Sequence, residues 1–114
     1  MMVALLDWHR AFAAQPVVVI ALTLPTLRRT ADTPVVLFSL DGAGFTMRPS
    51  SARYVVVSDG VREAPVEIWK PYGGAHLERR PASVCVAEIV ATARRFIAAT
   101  RVDAEKSSGP VRGH

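Results

Sequence analysis

An α+β domain is what this sequence predicts: an N-terminal helix, a four- to five-stranded, mostly antiparallel sheet and a C-terminal helix, with both helices on one sheet face. Three observations carry that expectation. Apolar runs of strand length occupy the middle of the chain, VVVIALTL at 17–24, VVLFSL at 35–40 and YVVVS at 54–58. Asp-Gly pairs at 41–42 and 59–60 follow two of these runs, and Gly accepts the positive φ that tight hairpin turns demand. Segments whose apolar residues recur with helical spacing flank the runs on either side.

At the N-terminal end, residues 3–14 (VALLDWHRAFAA) put Leu5, Trp8 and Phe12 on one helical stripe and Asp7, Arg10 and Ala14 on another, with Pro16 stopping the helix. The run 17–24 is almost continuously apolar, the pattern of a strand covered on both faces or lying centrally in a sheet. A polar connection, PTLRRTADTP, leads to the second run, which turns at Asp41-Gly42 and returns through Phe45, Thr46 and Met47. After Asp59-Gly60, the segment VREAPVEIWK supplies a further strand, with Val66, Ile68 and Lys70 on one face and Glu67 and Trp69 on the other. That strand is expected to be half exposed.

Residues 71–81 (PYGGAHLERRP) are bounded by prolines and hold a Gly-Gly pair, so they are expected to form a loop. Ser83 is the expected N-cap of the last helix. There Val86, Ile89, Ala93, Phe96 and Ile97 share a face with Cys85 at its edge, while Glu88, Ala91 and Arg95 lie elsewhere. The helix is expected to run to about Arg101. Residues 103–114 are polar and contain Ser and Gly, the composition of a disordered tail, which leaves 1–102 as one compact domain.

A chain of 114 residues suits a single domain, and 50% hydrophobic against 21% charged residues excludes a disordered one. The net charge of +4 is spread evenly. Five basic residues face three acidic ones up to residue 57, and nine face seven beyond it, so each half carries +2 and no arm is specialised for a polyanion. Cys85 is the only cysteine, which rules out an intramolecular disulfide and suits a reducing, cytoplasmic setting. Residues 11–27 are uncharged but interrupted by Pro16 and Pro25 and crowded with β-branched side chains, so a buried strand is expected there and no membrane span.

The stretch LFSLDGAGF at 37–45 touches the glycine-rich loops of patatin-type hydrolases and methyltransferases and the Ser-x-x-Gly element of PilZ domains. It fits none of them. The chain has no G-x-S-x-G, no room for a longer doubly wound sheet, and Leu37 where an Asp or Asn would precede Ser39, so a hairpin turn is expected and no family resemblance is drawn.

The richest chemistry lies between Lys70 and Pro81. Tyr72 offers a stacking surface, Gly73 and Gly74 let a ligand approach the backbone, His76 titrates near neutrality, and Arg79 and Arg80 fork onto phosphate. With Trp69 on the preceding strand and Arg94 and Arg95 on the last helix, these form the candidate binding set: Trp69, Tyr72, His76, Arg79, Arg80, Arg94 and Arg95. No catalytic set is expected, because one His lacks a second placed base. No metal or cofactor is expected either, in the absence of C-x-x-C, H-E-x-x-H or paired histidines. His9 is expected at the edge of the core, and Cys85 as a buried, inert thiol.

The functional expectation is a small non-catalytic interaction module working through a protein partner or as a homo-oligomer, since Trp, Tyr and Arg anchor interfaces. An exposed sheet edge near Val66–Lys70 would serve pairing with a second copy. The alternative is a basic nucleic-acid-binding protein using the arginines. A third is a small enzyme on a phosphate-containing substrate, with His76 and Glu78 as acid and base.

Overall fold

A computed structural model describes residues 2–24, 33–51, 53–71, 73 and 76–111, with side chains described from Leu5 to Lys106 within those spans. Helix α1 (Met2–Ala13) is followed by strands β1 (Val18–Thr23), β2 (Val35–Leu40), β3 (Ala43–Pro49), β4 (Tyr54–Ser58) and β5 (Glu63–Glu67). Two short strands, β6 (Trp69–Pro71) and β7 (Leu77–Arg79), precede helix α2 (Ala82–Val111). Strands β1 to β5 form one antiparallel sheet in chain order, and β6 pairs with β7 in a separate hairpin.

Local chemistry sets the turns. Leu40 pairs with Ala43, leaving Asp41 and Gly42 as a two-residue loop in which both φ values are positive, 51° and 81°. The β4–β5 turn is longer. Asp59 Oδ1 accepts the N–H groups of Val61 at 2.9 Å and Arg62 at 2.6 Å, while Gly60 takes a φ of 94°.

Strand alternation sends Val36, Phe38, Phe45, Met47, Val55, Val57 and Val66 to one face of the sheet, where all are buried. Both helices lie on that face. Trp8 and Phe12 from α1 and Cys85, Val86, Ile89, Val90 and Ala93 from α2 complete the core, and a chain of rings runs Trp8, Phe12, Phe38, Phe45 with centroids 5.5–6.5 Å apart. Leu5 is half-buried, and Phe96 and Ile97 pack against the core's margin. The α+β architecture and the one-sided placement of both helices follow the sequence's prediction.

Five details differ from it. The run expected to be covered on both faces or central is an edge strand: among the described residues β1 pairs with β2 alone, and Val18 and Ile20 are each 66% exposed. Residues 71–81 are not wholly loop, because Leu77–Arg79 pairs back on Trp69–Pro71. The carbonyl of Pro81, not Ser83, opens α2, accepting the N–H groups of Val84 and Cys85 at 3.0 and 3.1 Å. Helix α2 continues to Val111 rather than stopping near Arg101. His9 is exposed, on the side of α1 turned from the core.

Candidate functional site

Four of the candidate binding residues gather around the β6–β7 hairpin and the first turns of α2. Trp69 is half-buried against the core, and the Arg79 guanidinium carbon lies 6.0 Å from the centre of its ring. Arg80 is spent within the fold. Its Nη1 donates to the Glu67 carbonyl at 3.0 Å and to Glu88 Oε2 at 2.9 Å, and its Nη2 reaches Glu88 Oε1 at 2.5 Å. That fork holds the Glu88 carboxyl below its usual range and raises the Arg80 guanidinium.

Arg95 belongs to the same region through α2. Its Nη2 donates to Thr92 Oγ1 at 3.0 Å, and the Thr92 hydroxyl donates to the Glu88 carbonyl at 2.8 Å. Arg94 is exposed on the same helix, and His76 is exposed beside the hairpin turn, its backbone N–H donating to Gly73 O at 3.2 Å. Tyr72 lies outside the described residues. Cys85 is fully buried, and burial pushes its thiol up, as suits an inert core cysteine. Among the described residues, no three His, Cys, Asp or Glu side chains are grouped to hold a metal ion.

A second feature is a cleft of roughly 570 Å³ between the two Asp-Gly turns and α2, floored by Phe45, Phe96 and Ile97. Arg62 crosses it. The guanidinium meets Asp59 at 3.5 Å, Thr100 Oγ1 at 3.1 Å and the Asp103 carboxylate, so it ties the β4–β5 turn to the helix. The backbone N–H of Arg62 is the main cause holding Asp59 below its ordinary pKa.

The third feature is the sheet face opposite the helices, which the sequence analysis did not single out. Its rows follow from the registers: Ala21, Leu37, Thr46, Ser58 and Glu63 lie across the five strands, and Val56 pairs with Pro65 beside them. Val18 is 66% and Leu37 42% exposed there, and Val35 and Val56 are half-buried. Arg48 of β3 reaches Glu63 of β5 at 3.0 Å, and Arg53 reaches Glu67 at 2.7 Å, so the charges the described residues bring to this face are paired.

The edges of this sheet are closed in different ways. Tyr54 O is turned toward Ser50 and Ser51 and away from β5, so the main chain of its partner Glu67, and of Pro65 two residues earlier, points outward. Pro65 has no N–H to offer there, and the outward Glu67 carbonyl is taken by Arg80. The edge near Val66–Lys70, expected to pair with a second copy, is thereby obstructed. At the other edge, β1 carries a bulge at Ile20: Val19 pairs with Phe38 and Ala21 with Leu37, leaving Ile20 unmatched.

Searched against protein-family models, curated proteins and solved structures, the chain matches none of them.

Proposed function

We propose that the protein is a non-catalytic interaction module and that the uncovered face of its sheet is its docking surface, used through a protein partner or a second copy. One observation carries this reading. The strands β1, β2 and β4 are written as near-continuous apolar runs, the pattern of strands covered on both faces, yet the helices cover one face only. An antiparallel sheet with a solvated face alternates apolar with polar residues; here Val18, Val35, Leu37, Val56 and Pro65 stand where polar residues would. Apolar side chains exposed on a sheet face, here interspersed with Thr46, Ser58 and the paired Arg48 and Glu63, are the make-up of an interaction surface. The arginine-based alternatives are less well supported, because Arg80 is committed to Glu88 and to a backbone carbonyl.

The test is the unfolding free energy of a Leu37→Lys, Val18→Lys double variant in dilute solution. Residues that touch only water and partners contribute little to the lone chain, so the expected loss is under about 1 kcal/mol. A loss of about 3 kcal/mol or more, the range for truncating a packed core residue, would mean that the chain itself covers this face, and would overturn the proposal.

A further inference from the structure

We infer that the occupant of the open face is a second copy of this chain, stacked sheet on sheet about a two-fold axis; the inference rests on the docking reading above. The charge on the face is the first reason. Arg48 and Arg53 are balanced by Glu63 and Glu67, and each pair is closed within one chain, so the charges that the described residues place on this face cancel although the whole chain carries +4. Among the described residues a strongly acidic or basic partner finds no unmatched charge there to recognise, while an identical face meets no net repulsion from them.

Area is the second reason. The sheet has five strands of five to seven residues. At spacings of about 4.8 Å between strands and 3.3 Å per residue, its face measures roughly 24 by 20 Å. Two such faces bury on the order of 1,000 Å², the threshold at which a specific interface becomes credible. Edge closure is the third. Pro65 and Arg80 obstruct β5 and the Ile20 bulge interrupts β1, which disfavours a copy adding on by strand pairing and leaves face-to-face stacking, the arrangement of β-sandwiches, as the route to association.

Sedimentation equilibrium of the full chain tests this, at loadings from about 1 μM to several hundred μM, a span over which a weak to moderate dimer changes occupancy. The mass is expected to rise with concentration from 12.3 kDa toward twice that value. Leu37→Glu is expected to weaken dimerisation at least tenfold, and Val18→Lys, at a position 66% exposed, repeats the probe should Leu37→Glu fold poorly. A chain that stays monomeric throughout overturns the second copy as occupant, while the docking surface still stands or falls on the unfolding of the lysine variant. A dimer that neither substitution weakens places the contact elsewhere and overturns the inference outright.

Discussion

Among single residues, Asp59 links sequence, turn and stability most directly. Its carboxylate accepts two backbone N–H groups and touches Arg62, and Glu88 is held in the same sense by Arg80. Both carboxyls are depressed in the folded chain. The unfolded chain therefore binds protons more readily, and the stability these groups contribute is present above their unfolded values, about 3.9 and 4.3, and is lost as pH falls through the lower folded values. Urea titrations between neutral pH and pH 3 are expected to show Asp59→Asn costing on the order of 1 kcal/mol near neutrality and progressively less below the unfolded carboxyl range. Glu88→Gln is expected to flatten the profile in the same sense, with a smaller change because Glu88 is 48% exposed. A wild-type profile that each variant merely shifts in parallel would contradict these assignments. Asp41-Gly42 and buried Cys85 were legible in the sequence, because turn chemistry and helical spacing are local. The Arg80–Glu88 fork was not. It depends on how a hairpin sits over α2, and nothing in the spacing of the two residues distinguishes that contact from two solvated charges.

Among elements, periodicity identified the helices and the long strands but left their neighbours undetermined. The β1 run carries the composition of a two-sided buried strand, and a single strand's pattern says how much of it wants cover without saying which element supplies it. Its place at the sheet edge is a matter of strand order, which the connection at 25–34 does not encode. Strand β7 escaped notice for a simpler reason: Leu77–Arg79 is three residues long, too short to show alternation, and prolines and Gly-Gly surround it. Arg80 then pins the hairpin to α2 with a planar fork that a lysine cannot copy. Arg80→Lys is expected to speed amide exchange across Trp69–Pro71 and Leu77–Arg79 several-fold while leaving the central turns of α2 protected. Unchanged exchange in the hairpin would show that Trp69 packing alone holds it.

For the whole molecule, two helices and a five-stranded sheet account for one buried face, and no described element covers the second. The expectation of an interaction module drawn from the sequence pointed to Trp69, Tyr72 and the arginines, because aromatic and cationic residues draw attention in a linear reading. Valines and a leucine distributed over three strands do not. Only the registers bring Val18, Leu37 and Val56 onto one surface with Thr46 near its centre. Thr46 makes the central claim directly measurable, because Thr46→Cys places a small thiol on that surface while Cys85, buried and raised in pKa, reacts slowly in the background. The measurement is the rate of thiol labelling at position 46 as a function of protein concentration. A face that is open in the monomer and covered by a second copy predicts fast labelling in dilute solution that slows as concentration rises. Slow labelling at every dilution, or fast labelling at every concentration, would contradict it.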